Sequence, residues 1–365
     1  MSEPNFPSIE PCVSPTGFAA PGMRRFLASL ALFVSPFVLF TAGFCILDPY
    51  KILWSYTDYS DAPVQLNRDY ISTENYIAHR RQYHYDSFMF GTSRTSGIRI
   101  ADWQPYLGTN ASPFKFDASG ESLFGIWKKV QYIDRQGDPI HNALILICTD
   151  NTLQGTNDSG GYLFIKHPAL GGGGWGNLYF SSLRAWASDG FFIRYLDYRI
   201  FGHFRPYMKG YIETRGIHFD PVTNELFADK PDAELARDEE GYYRRRQKMF
   251  YPRPAIPGEA PAFIGPVQRQ MLEDLHRIFV MHKTDYRIAI SPLYNQVALN
   301  RKDLEALREI FGASTVSDFS GVNSMTANPR NYYETSHFRL NVGKQMLQEI
   351  YAPENHDPDP SRSRP

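Results

Sequence analysis

Ala143-Leu144-Ile145-Leu146-Ile147-Cys148 is an unbroken apolar run of strand length, closed at once by the polar residues Thr149-Asp150-Asn151. A strand with one wet face alternates apolar and polar residues, whereas a run without alternation must be covered on both faces. The run therefore predicts a central parallel strand with helices packed above and below it.

Other segments fit the same sheet. Ser87–Phe90, Phe114–Asp117, Arg287–Ser291 and Thr315–Phe319 read as further strands. Glu121–Gln136, Val267–His282, Lys302–Phe311 and Val342–Tyr351 read as helices. In the first of these, Leu123, Ile126, Trp127, Val130 and Ile133 share one face, and Ser119 or Ser122 is placed to cap it. The expected fold class is α/β, a three-layer α/β/α, doubly wound, flavodoxin-like sandwich. Residues 153–266 break the rhythm and are too many for a structureless loop. They predict an insertion, partly helical around Leu178–Phe201, forming a cap or subdomain over the sheet edge. Asn67–His84, carrying Arg68, Arg80 and Arg81, reads as a polar surface approach to the first strand.

Ahead of the sheet, Arg24-Arg25 precede an uncharged run from Phe26 to Leu47, and Asp48-Pro49-Tyr50 follow it. As a helix this run extends roughly 33 Å, enough to cross the hydrocarbon core of a bilayer. It is long for the apolar part of a signal peptide, and no clear A-x-A site follows, so an uncleaved anchor is favoured over a cleaved leader. Arginines on its N-terminal flank put residues 1–25, a proline-studded tail, in the cytoplasm and residues 48–351 outside it. Residues 352–365 read as a second disordered tail.

Lys plus Arg number 38 against 39 Asp plus Glu, so no basic excess exists to hold a nucleic-acid backbone. The glycines Gly171–Gly174 lack the Lys-Ser/Thr that a phosphate loop needs, which argues against a nucleotide. Arg244-Arg245-Arg246 read as a solvated helix face. The histidines show no paired metal-ligand spacing, and Cys12, Cys45 and Cys148 form no C-x-x-C, so neither metal nor cofactor is expected.

The chemistry is concentrated at strand ends. The first strand runs into Gly91-Thr92-Ser93-Arg94, a tight corner that can expose a serine hydroxyl. The second runs towards Gly120, whose N–H can approach a reacting carbonyl closely, and the third ends at Asn151, a further hydrogen-bond donor. Near the C-terminus, Glu334-Thr335-Ser336-His337 lets a carboxylate hold one imidazole nitrogen while the other takes a serine proton. Asp318, at the end of the last strand, is the alternative acid. Arg94 and Arg339 are candidate ligands for a substrate carboxylate or phosphate, or simply surface ion-pair partners.

A G-x-S-R block, a glycine block, a polar block and a carboxylate-x-x-His block, in this order at successive strand ends, resemble the SGNH (GDSL-like) hydrolase superfamily. The single N-terminal anchor, the D-P-Y exit and the S-H-F-R ending with Gly343 resemble its membrane-anchored bacterial branch. That branch includes the alginate O-acetylation proteins and the D-alanine transfer protein of teichoic-acid loading. The resemblance spans roughly residues 26–351, without a motif in the insertion. It implies Ser93 as nucleophile, His337 as base and Glu334 as acid, with the N–H groups of Ser93 and Gly120 and the side chain of Asn151 as oxyanion donors. It implies a periplasmic, membrane-tethered O-acyltransferase or esterase acting on envelope polysaccharide beside a multi-pass membrane acyltransferase. The chain departs from the family in carrying Glu where Asp is usual, and T-D-N in place of G-x-N-D, which leaves open whether Asn151 or Asp150 faces the site. A catalytically silent protein of the same fold, binding glycan or scaffolding a synthesis complex, is the alternative.

Overall fold

The computed structural model describes residues 21–157 and 160–352. The expected tails fall largely outside these residues: 1–20 and 353–365 are not among them. The chain divides into two compact units, Met1–Leu47 and Asp48–Pro365.

In the first unit a single helix runs from Pro21 to Leu47, with Pro36 inside it. It begins before the predicted Phe26 and takes Arg24 and Arg25 into its first turns. The stretch Gly22–Leu47, whose most apolar 18 residues have a mean hydropathy of 2.3, is long and apolar enough to cross a membrane.

The second unit is built on β1 (Ser87–Gly91), β2 (Pro113–Lys115), β3 (Asn142–Ile147), β4 (Ile217–Phe219), β5 (Leu226–Ala228), β6 (Asp285–Ile290), β7 (Val316–Asp318), β8 (Tyr332–Glu334) and β9 (His337–Phe338). Five of these form one parallel sheet in the order β2-β1-β3-β6-β7, with Gly91 paired to Leu146 and Ile147 to Ile290. The apolar run thus occupies the sheet centre, and its alternate residues face two separate cores. Ile145 and Ile147 join Phe88, Phe90, Ile288 and Ile290 beneath the helices Leu123–Arg135, Pro266–His282 and Arg301–Phe311. Leu144 and Leu146 join Met89 and Ala289 on the other face, against Trp103 and the helix Leu340–Ile350. Of the two candidate caps, Ser122 fills the role, accepting from Gly125 N at 3.2 Å.

The segment expected to be a polar surface approach is instead a helix, Arg68–Tyr83, with most of its first half buried. Asn67 starts it by accepting from Tyr70 N at 3.1 Å. Its two buried charges, Arg68 and Asp69, each meet a counter-charge. Arg68 pairs with Asp117 at 2.8 Å, and Asp69 with Lys129 at 3.1 Å and Lys166 at 3.3 Å. Glu121 closes the cluster, 2.5 Å from each of the same two lysines.

The interruption between β3 and β6 holds the helices Gly174–Ala187, Phe191–Phe201, Asp229–Arg237 and Glu239–Arg246 and the hairpin β4–β5. It is fastened to the sheet by buried polar contacts, Lys115 to Glu225 at 3.1 Å and Arg68 to the side chain of Asn224 at 3.0 Å. In the arginine triplet, Arg245 and Arg246 both pair with Glu234, each at 2.7 Å.

Candidate active site

β1 ends at Gly91, whose φ of +153° suits glycine alone. A Cβ there would lie 2.9 Å from Thr95 Cγ2 and 3.0 Å from the carbonyl oxygen of Leu146. The chain turns at once into a short 3-10 turn, Ser93–Gly97, capped by the Thr92 hydroxyl, which accepts from Arg94 N at 3.3 Å. This corner holds the Ser93 side chain at the C-terminal edge of the sheet.

His337 arrives from the opposite end of the sequence. β8 and β9 pair antiparallel, with Glu334 directly across from His337 and Thr335-Ser336 forming the turn. The Glu-x-x-His spacing is therefore that of a tight β-hairpin. Ser93 Oγ lies 2.8 Å from His337 Nε2, and His337 Nδ1 donates to Glu334 Oε1. With Nδ1 protonated, Nε2 is left to accept the serine hydroxyl proton. The second oxygen of Glu334 accepts from the backbone N–H of Ser336 at 2.6 Å, which fixes the carboxylate plane. Burial alone would raise the Glu334 pKa. The hydrogen bond and charge of His337 and the Ser336 N–H outweigh it, and the net shift is downward from 4.5. Asp318, the alternative acid, instead accepts from its own neighbour, the Ser320 hydroxyl, at 2.6 Å.

Ser93, Gly120, Glu334 and His337 line one cavity of about 770 Å³. The loop to Gly120 prolongs the β1–β2 pairing, through Phe116 N to Met89 O at 2.9 Å and Ala118 N to Gly91 O at 3.1 Å. Gly120 sits at φ +58° against Phe164. Among the described residues, the backbone N–H groups of Ser93 and Gly120 have no acceptor. Asn151 does not line this cavity, and its side-chain oxygen accepts from Thr152 Oγ1 at 3.3 Å.

Neither arginine candidate lines the cavity either. Arg94 turns away and grips Asp150 with two bonds of 2.9 and 2.7 Å, while its Nε donates to the Ser336 carbonyl at 2.7 Å. This guanidinium ties the serine corner to the end of β3 and to the histidine hairpin. Arg339 bonds Glu239 at 2.6 Å and the Arg330 carbonyl at 3.0 Å, beside a separate small cavity.

The main cavity is walled largely by residues without a motif in the sequence, including Tyr59, Phe219, Tyr242, Met249 and Arg215. Four of these five come from the insertion, where aromatics recur without a helical or strand period, so their convergence had no sequence signal. Among the described residues no group of His, Cys, Asp and Glu is arranged to hold a metal ion. Cys148 is buried and in no disulfide, and its Sγ touches the Thr92 hydroxyl at 3.3 Å.

Chemically, the arrangement is that of a serine, a histidine and a carboxylate in series, lining a cavity beside two backbone donors. No protein-family model matches the chain, and the comparison with curated proteins likewise gives no match.

Proposed function

We propose that this chain is a membrane-tethered serine acyl-ester enzyme of the SGNH type, forming an acyl-enzyme and passing the acyl group to or from an envelope polysaccharide. The observation that carries the reading is the unbroken series Ser93–His337–Glu334 opening into the same cavity as the uncommitted N–H groups of Ser93 and Gly120. The strand order β2-β1-β3-β6-β7 supports a flavodoxin-like sandwich, which is the fold of that superfamily.

Ser93 Oγ attacks the acyl carbonyl while His337 Nε2 takes its proton. Glu334 holds the imidazole orientation and stabilises the imidazolium that forms. The carbonyl oxygen, now negative, sits against the N–H groups of Ser93 and Gly120, and loss of one such donor costs about 100-fold to 1000-fold in rate. As the tetrahedral species collapses, His337 returns the proton to the leaving oxygen. A sugar hydroxyl or water then gives its proton to His337 and attacks the ester, and as the bond to Ser93 Oγ breaks His337 returns that proton to Ser93. The two acceptors distinguish transferase from hydrolase.

Arg24 and Arg25 stand in the first turns of the spanning helix, and by the positive-inside rule they favour an N-terminus in the cytoplasm and a catalytic unit in the periplasm. A multi-pass membrane acyltransferase supplying acyl groups is the partner this placement suits.

Full-length protein treated with a fluorophosphonate probe should label at Ser93 and lose labelling in Ser93→Ala. Ser93→Ala should also abolish p-nitrophenyl acetate turnover. A folded protein that takes no label would instead be a silent glycan-binding member of the fold, since the aromatic cavity serves that role equally.

A further inference from the structure

The helix pair Gly174–Ala187 and Phe191–Phe201 has two apolar sides. On the inner side Leu178 and Trp186 of the first helix and Phe191 and Tyr195 of the second are buried. Outward, Phe180 is 66% exposed, Ile193 56% and Ile200 70%. Ile193 and Ile200 stand seven residues apart and share a face opposite Phe191 and Tyr195. The second helix then runs out through Phe201, Gly202, His203, Phe204, Arg205, Pro206 and Tyr207, every one of them exposed. A helix that is apolar on both sides has only half of its apolar surface satisfied by the fold that holds it.

The composition of this surface is specific. Aromatic and aliphatic tips alternate with cations: Arg184, Arg194, Arg199, Arg205 and Lys209 stand against only Asp189 and Asp197 in residues 174–209. Arg184, Arg199 and Lys209 are exposed. Aromatic anchors with interleaved arginine and lysine suit the boundary between lipid headgroups and acyl chains, and the net positive charge suits anionic lipid.

Position in the fold supplies the second argument. Asp48, the first residue after the spanning helix, fixes the turn that follows by accepting from Ile52 N at 3.0 Å and Leu53 N at 2.8 Å. Within this turn Tyr50 is buried and stacks on Phe191, the first residue of the second helix, with ring centroids 5.5 Å apart. The helix pair is thus packed onto the segment by which the chain leaves the span. Trp54, a few residues further on, is 59% exposed and adds another interfacial side chain.

We propose that the outward face of Gly174–Ala187 and Phe191–Phe201, with the segment to Tyr207, seats in the headgroup region of an anionic bilayer, the one that Gly22–Leu47 crosses. This rests on reading Gly22–Leu47 as a membrane span and is independent of the catalytic assignment. The contact gives the catalytic unit a second, non-covalent hold on the membrane and restricts how its cavity is presented to substrates there.

The test uses the full chain reconstituted in nanodiscs of phosphatidylcholine and phosphatidylglycerol, with nitroxide labels on Ile200→Cys, Phe204→Cys and, as reference, Val280→Cys, an exposed site on the helix Pro266–His282. Collision with oxygen against an aqueous nickel complex should place the first two labels about 5–10 Å into the boundary, and the reference in water. Water-accessible labels at both positions overturn the proposal and leave a membrane protein as the occupant of this face. Failure of the unlabelled chain to enter discs removes the span itself, and the proposal falls with it, a result distinct from entry with exposed labels.

Discussion

Gly343 of the last helix lies so close to Gly97 that a Cβ on it would stand 1.9 Å from the Gly97 carbonyl oxygen. Gly97 ends the turn that begins with Ser93, and Gly343 follows the His337 strand by one helical turn. On the other side, a Cβ on Gly97 would meet the Phe338 ring at 2.4 Å. Nucleophile and base come from opposite ends of the chain, and the close packing at these two glycines lets the Ser93 and His337 side chains approach to hydrogen-bonding range, 2.8 Å.

Gly343→Ala should therefore destabilise the protein by about 1–3 kcal/mol, the usual range for overpacking a tight contact. It should also reduce fluorophosphonate labelling of the protein that remains folded, since the clash pushes the serine corner away from the histidine hairpin. Denaturant unfolding and labelling rate, measured on the same sample, check both effects. A helix propensity effect alone would raise stability, because alanine is the better helix former.

Arg94 supplies the second link between the same parts. Arg94→Ala removes the grip on Asp150 and leaves the Ser336 carbonyl without its donor, which should cost about 1–3 kcal/mol in stability. The catalytic effect should exceed the stability effect, because the lost contact to Ser336 adjoins both Glu334 and His337. Arg94→Lys restores one charge but not the two-bond geometry, so it should recover stability better than turnover. Equal recovery of both would show that Arg94 acts only as a structural tie.

Much of this was legible from sequence for reasons of chain physics. Six apolar residues without alternation leave β3 no place except the sheet centre, and a glycine before Thr92-Ser93 marks a corner that a Cβ would obstruct. The helix Arg68–Tyr83 was not legible, because pattern reading equates charge with solvent. Arg68 and Asp69 are buried through partners that lie far along the chain. The Arg94–Asp150 pair was hidden for the same reason, its members standing 56 residues apart. Asn151 had the right strand end, yet it stays outside the cavity, and the carboxylate before it, itself exposed, is engaged by Arg94.

The downward shift of the Glu334 pKa from 4.5 gives a pH prediction with a definite sign. A carboxylate with a depressed folded-state pKa adds stability that is present above its unfolded value and lost as pH falls through the folded one. Wild type should thus be more stable than Glu334→Gln near neutrality, and the gap should close as pH is lowered below 4.5. Guanidinium unfolding of both proteins across this range measures the gap. A constant difference would assign the effect of the substitution to packing and not to ionisation. Turnover should fall over the same acid range, because protonated Glu334 no longer stabilises the imidazolium.

The buried cluster of Asp69, Glu121, Lys129 and Lys166 makes the last prediction. All four side chains are at most 2% exposed, and Lys129 touches both carboxylates. Lys129→Met keeps the side-chain length but strands negative charge in the interior, which should cost about 3–5 kcal/mol. Adding Glu121→Gln removes one of the stranded charges and should return part of that loss, so the two substitutions are non-additive. The effect should reach the active site as well, since Lys129 Nζ donates to the Asp117 carbonyl at 3.1 Å while Asp117 Oδ2 accepts from Thr95 of the serine turn at 2.6 Å. Urea melts of the single and double variants, with fluorophosphonate labelling rates alongside, decide whether charge balance or packing volume holds this layer in place. Additive losses in the double variant would point to volume.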